Sequence, residues 1–283
     1  MNSQTTLDSI KKSLVALKMP RALELLDATL RQVEQGESSW VEALDRLLLE
    51  EQTLRDNRRT RTALRMARLS AIKTLAGFDF AFQPSLDRNR ILALAELKFI
   101  ERAEVVHLLG PPGTGKSHLA TALAVEAVKA GKSVAFATLA EIVTSLAKAE
   151  REGTLRERIR FLARASLLVV DEIGYLPVVP GGGNLFFQLV NARYEKGAMI
   201  LTSNRGFAEW GEVFGDQVVA TALLDRLLHH AVVIQIEGSS YRMRQHADLV
   251  PETVRPRTIA NPQAGPKRRG RPPLRKPQDQ QSG

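Results

Sequence analysis

Residues 110–117 read Gly-Pro-Pro-Gly-Thr-Gly-Lys-Ser, the spacing G-x-x-x-x-G-K-[ST] that cradles the phosphates of a nucleoside triphosphate. Gly110, Gly113 and Gly115 let backbone N–H groups close around phosphate oxygens, and a helix starting at the end of the loop favours their negative charge. Lys116 has the reach for the β- and γ-phosphates, and Ser117 offers a hydroxyl to Mg2+. Pro111, Pro112, Thr114 and His118 complete the expected cradle. A second group stands at 167–172, Leu-Leu-Val-Val-Asp-Glu, an apolar run ending in two acids. On a strand beside that of the loop, Asp171 reaches the metal shell and Glu172 can polarise an attacking water as a general base. Residues 199–204, Met-Ile-Leu-Thr-Ser-Asn, end on Asn204, whose amide can hold the same water. Two cations remain. Arg226, within Asp225-Arg226-Leu227-Leu228, is the candidate to stabilise the γ-phosphate charge of a neighbouring subunit, and Arg242, after Ser239-Ser240-Tyr241, is the second.

These groups need a frame. Apolar runs at 105–109, 133–138, 167–171, 198–202 and 231–236 alternate with helical segments, which predicts an α/β fold with a parallel sheet flanked by helices. The loop lies between the first of these strands and the helix-forming run at 118–127, the order that phosphate binding requires. Ahead of this domain, set at 76–250, residues 1–75 read as all-helical, with apolar residues such as Leu14, Leu17, Leu23, Leu26, Leu30 and Val33 at helical spacing. A break at 36–39 precedes a helix starting near Trp40. Arg55, Arg58, Arg61, Arg65 and Arg68 then fall within about 140° of one helix face, a stripe suited to phosphates or to an acidic protein. Trp40 and Trp210 read as core or interface anchors. From 251 to 283 the chain is rich in Pro, Gly, Gln and Arg without apolar periodicity and reads as a disordered basic tail.

The 283 residues contain no cysteine, which excludes a disulfide framework or a thiolate metal site and suits a reducing cytoplasm. No apolar run approaches the roughly 18 residues of a membrane span, so no membrane partner is expected. The histidines form no His-x-x-x-His pair, and protein-ligated zinc is not expected. The net charge of +9 is uneven: residues 76–250 carry 19 basic and 19 acidic residues, whereas 52–75 carry 7 basic against 1 acidic, and 251–283 carry 8 against 2. A neutral core with basic flanks points to a polyanionic partner. Within the tail, Arg269-Gly270-Arg271-Pro272 resembles an AT-hook, whose arginines enter the narrow minor groove of A·T-rich duplex DNA.

Taken together, the chain resembles AAA+ ATPases of the initiator and helicase-loader branch, and more narrowly the IstB-type helper ATPases of bacterial insertion sequences. The stretches that carry the likeness are GPPGTGKSHLA at 110–120, VDEIGYL at 170–176, Arg193-Tyr194-Glu195, Leu201 to Asn204 with Phe207 and Trp210, and LDRLLHH at 224–230 through Ser240-Tyr241-Arg242. The resemblance implies ATP and Mg2+ as ligands and homo-oligomers formed through ATP at subunit interfaces. It also implies assembly on and remodelling of double-stranded DNA, and stimulation of a cognate transposase. It implies that the N-terminal helices mediate assembly or partner contacts. It further implies a nucleic-acid-facing helical insertion, here residues 139–166, with Lys148, Arg151, Arg156 and Arg160, joined by Arg158 and Arg164, as phosphate contacts. Residues 178–183 (VVPGGG) depart from the charged loop expected after the acidic strand, and little chain remains after Tyr241 for a helical lid. The alternatives are a DnaC-type replicative helicase loader acting on single-stranded DNA and a nucleotide-gated adaptor that barely hydrolyses ATP.

Overall fold

The computed structural model describes residues 3–69 and 72–244. Three helices come first, α1 (Ser3–Ala16), α2 (Pro20–Glu34) and α3 (Trp40–Met66). The break at 36–39 ends in a capping box: the Ser39 side chain accepts from the Glu42 N–H, and the Glu42 carboxylate accepts from the Ser39 N–H at 2.7 Å. The buried Glu51 of α3 accepts from the N–H groups of Arg21 and Ala22 and so satisfies the free start of α2. Arg55 is spent in the same junction, on Glu51 and on the carbonyls of Leu17 and Lys18. The expected arginine stripe is therefore shorter than its sequence spacing. Arg58, Arg61 and Arg65 are exposed on α3, whereas Arg68 lies past its end with a left-handed φ of 57°. Trp40 is two-thirds exposed and is no part of the core, whereas Trp210 is fully buried.

The α/β part runs α4 (Arg88–Ala95), α5 (Lys98–Glu101), β1 (Val105–Leu109), α6 (Lys116–Lys129), β2 (Val134–Thr138), α7 (Leu139–Arg151), α8 (Leu155–Ala163), β3 (Leu167–Ile173), α9 (Gly182–Arg193), β4 (Ala198–Ser203), α10 (Trp210–Phe214), α11 (Gln217–His229) and β5 (Ala231–Gln235). Its five strands are all parallel, in the order β2-β3-β4-β1-β5. Alternate residues of each strand feed two cores. Val106, Leu108, Val169 and Ile200 face Leu119 and Leu123 of α6, and Leu168, Val170, Met199 and Leu201 face Phe186, Leu189 and Leu223 of α9 and α11. That two-sided burial is why the strands read as continuous apolar runs. β3 lies between β2 and β4, and β1 between β4 and β5, so the phosphate loop and the acidic strand end emerge at the same edge, one strand apart. No described helix is long and apolar enough to cross a membrane. The tail, with Arg269, Gly270, Arg271 and Pro272, lies outside the described residues.

Candidate active site

β1 ends at Leu109, the loop turns through Gly113 (φ 81°) and Gly115 (φ 97°), and α6 begins at Lys116. Neither glycine tolerates a side chain. A β-carbon at 113 would overlap Ser240 Oγ, and one at 115 would press into the Phe78 ring. The loop is thus enclosed by two segments distant in sequence. From one side, Phe78 packs over Gly115 and stands edge-on to His118, whose Nε2 donates to Thr74 O at 3.0 Å. From the other, the Tyr241 N–H donates to Gly113 O at 2.9 Å. Gln83 Nε2 donates to Ser239 O at 3.1 Å and joins the two segments. His118, expected in the cradle, therefore faces the 74–78 segment.

Lys116 is buried and donates from Nζ to Pro111 O at 2.7 Å, beside the Thr114 hydroxyl on the same carbonyl. Burial above all, with the nearby charge of Arg242 and against the pull of Asp171, lowers its ammonium to about 8. Arg242 follows Tyr241, whose N–H is bonded to Gly113 O, and so stands on an exposed turn beside the loop of its own subunit.

Asp171 and Glu172 leave β3 differently. The β3–β4 register runs Val170↔Leu201 and then Ile173↔Ser203, so the two acids occupy a β-bulge. Asp171 is buried, and its Oδ1 accepts from Ser117 Oγ at 2.8 Å and from Thr202 Oγ1. Glu172 is exposed with φ 62°, a left-handed conformation that costs a side-chain-bearing residue energy. Its N–H donates to the same Thr202 Oγ1 at 3.1 Å. A cleft of about 250 Å³ opens beside Glu172, lined by Thr138, Val143, Tyr175 and Val178 among others. Asn204 donates from its amide to Ile173 O at 3.0 Å and Gly174 O at 3.1 Å, so it braces the turn after Glu172 and keeps only Oδ1 for a water. Thr202 was invisible to sequence reasoning as a site residue. Its one signal is a hydroxyl where an apolar strand turns polar, just before Ser203 and Asn204.

Ser117 and Asp171 offer oxygen donors side by side, the donor set that a hard divalent cation takes.

Arg226 is not in this cradle. It lies near the end of α11, and the next residues lead into His230, whose carbonyl accepts from Val105 N–H at the start of β1. The loop is at the other end of β1, about 16 Å away along a five-residue strand. Arg226 therefore cannot serve the loop of its own subunit. Near it, the exposed Glu195, His229 and His230 bring donor atoms within 4.8 Å of one another, a grouping that no sequence spacing announced. Of the basic residues expected on the insertion, Lys148, Arg151, Arg156 and Arg160 are exposed on α7 and α8, and Lys148 pairs with Glu152 at 3.8 Å. Arg158 donates to Ser145 Oγ and lies over the Phe161 ring.

The family described as IstB-like ATP binding protein is matched over residues 12–248. The protein of Pseudomonas aeruginosa named for ATP binding in insertion sequence IS21 is 48% identical over 81% of this chain and 86% of its own length. Its counterpart in insertion sequence IS5376 of Geobacillus stearothermophilus is 41% identical over 81% of this chain and 91% of its own. Among solved structures, the crystal structure of DnaI is similar in fold, with a TM-score of 0.50 and 21% identity over 62% of this chain and 94% of that one.

Proposed function

We propose that this chain, which belongs to the family of IstB-like ATP-binding proteins, hydrolyses ATP, assembles through ATP on duplex DNA, and helps a cognate transposase use that DNA. The observation that carries the reading is the contact of Ser117 Oγ with Asp171 Oδ1 at 2.8 Å, beside a Glu172 held out on a bulge. Lys116 would exchange Pro111 O for the β- and γ-phosphate oxygens, a move of one side chain. Mg2+, held by Ser117 and Asp171, would neutralise charge on the phosphoryl oxygens and polarise them. Glu172 would take a proton from water as the water oxygen bonds to the γ-phosphorus and the bond to the β–γ bridging oxygen breaks, giving ADP and phosphate. Asn204 would hold the turn that aims Glu172. Arg242 would meet phosphate charge within its own subunit, and Arg226 would reach a neighbour's site. Its distance from its own loop supports that division. DNA phosphates would meet Arg58, Arg61 and Arg65 on α3, the exposed cations of α7 and α8, and the tail at 269–272.

The test is a gel-shift series on matched duplex and single-stranded DNA with ATP, ADP or no nucleotide, using the wild type and Glu172→Gln. The expected result is cooperative, ATP-dependent duplex binding that Glu172→Gln prolongs after an ADP chase. A preference for single strands would instead support the helicase-loader reading, and binding indifferent to nucleotide would refute the switch.

A further inference from the structure

Arg226 is held against two aromatic rings. Its guanidinium carbon lies 5.4 Å from the centroid of the Phe187 ring and 5.2 Å from that of Tyr194, both half-buried side chains. Among the described residues, none hydrogen-bonds or ion-pairs with this guanidinium. Two other arginines of the domain are held by oxygen atoms instead. Arg193 spends its guanidinium on four backbone carbonyls, and Arg205 pairs with Glu209. A carboxylate partner would neutralise Arg226 and compete with any phosphate. Aromatic faces attract the charge through their quadrupole and leave the N–H donors unspent.

The two rings are themselves fixed. Phe187 is on α9, on the side that packs against α11. Tyr194 is the residue at which α9 ends, and its hydroxyl is hydrogen-bonded to His229 Nδ1 at 2.7 Å with the rings stacked. The adjacent Arg193 is buried and donates to the carbonyls of Leu162, Ala163, Ala165 and Ala198, which pins the backbone from which Tyr194 projects. On the far side, His107 of β1 is buried with its ring lowered to about 4 by desolvation, so it is neutral, and Nε2–H donates to Leu227 O at 3.1 Å. The helix turn that carries Arg226 is thus tied to the strand that carries the phosphate loop.

We infer that Phe187 and Tyr194 are positioning residues for Arg226, two aromatic faces that hold an uncompensated guanidinium ready for the phosphate of a neighbouring subunit. This rests on the reading of Arg226 as a cation acting between subunits.

The test uses the full-length protein, with steady-state ATP turnover at concentrations where it is assembled and mant-ATP binding as the control for fold and cradle. Phe187→Leu and Tyr194→Leu are each expected to lower kcat about two- to fivefold with mant-ATP affinity unchanged. Tyr194→Phe, which keeps the ring and loses the hydroxyl, retains most of the turnover. In an Arg226→Ala background the two leucine substitutions lower turnover no further, because the group they position is gone. Equal losses with and without Arg226, or a Tyr194→Phe as slow as Tyr194→Leu, would overturn the inference. Wild-type turnover by Arg226→Ala alone would instead overturn the between-subunit reading beneath it.

Discussion

Thr202 is where a single oxygen does most for the proposed chemistry. Its hydroxyl donates to Asp171 and accepts from the Glu172 N–H, so it holds both acids of the bulge from β4. Thr202→Val keeps shape and volume and removes both bonds. The charged bond is worth about 1.5–3 kcal/mol and the neutral one about 1, so a stability loss of about 2.5–4 kcal/mol follows. For a domain of this size that is a fall in Tm of about 5–15 °C. The catalytic consequence is separate. A left-handed residue costs about 1–2 kcal/mol, and at Glu172 the Thr202 bond offsets about 1 of it. Without that bond, the population with Glu172 in its observed pose drops about fivefold, and kcat drops with it. ATP affinity depends on the loop and Lys116 and is expected to stay near wild type. Thr202→Ser restores both bonds and serves as the control. The assays are denaturant unfolding, mant-ATP titration and phosphate release. If Thr202→Val unfolds earlier yet turns over at the wild-type kcat, the bulge does not set the pose that matters, and the reasoning is refuted.

Lys116, lowered by burial to about 8, gives a pH dependence of known sign. It is charged below that value and neutral above it, so ATP affinity should be flat near neutrality and fall about tenfold per unit above pH ~8. Lys116→Arg removes the fall, as mant-ATP titrations across that range will register. Arg193→Met withdraws the guanidinium from four carbonyls, two of them in buried bonds, and should cost about 3 kcal/mol, read as a lower unfolding midpoint in guanidinium. Lys116→Ala should be inactive alone and Arg226→Ala should keep only a small residual turnover, yet a mixture of the two should regain activity, since Arg226→Ala supplies an intact loop and Lys116→Ala an intact guanidinium. A mixture as inactive as its parts counts against action between subunits.

Much of the frame was legible because it rests on local signals. Five apolar runs became five parallel strands, the break before Trp40 became a capping box, and the loop sequence demands a strand before it and a helix after it. β3 ran on to Ile173 because the bulge carries two further residues into the ladder with β4. What escaped depends on contacts distant in sequence. Phe78 and Tyr241 close on the same loop from segments some 160 residues apart, and neither carries a motif that says so. Arg55 and Arg68 fit the stripe by spacing, but one is taken by Glu51 and the other by the end of the helix. Trp40 reads as a core or interface anchor by type, and the structure leaves it exposed, outside the core.

The ends of β1 carry a constraint on symmetry. The phosphate loop stands at one end of the strand and Arg226 at the other. Any contact that brings Arg226 to a second copy's loop therefore joins unlike surfaces. A two-fold dimer can make two such contacts at once only if loop and guanidinium share one face of the subunit, each meeting its counterpart on the other copy. Copies joined through two different faces instead stack head to tail, and each addition leaves the same pair of unlike ends. The stack either closes as a ring or grows as an open helix with a direction. In the open form, one terminal subunit always holds a loop with no guanidinium opposite it. Such a polymer differs chemically at its two tips, and a partner that recognises one tip would read its direction.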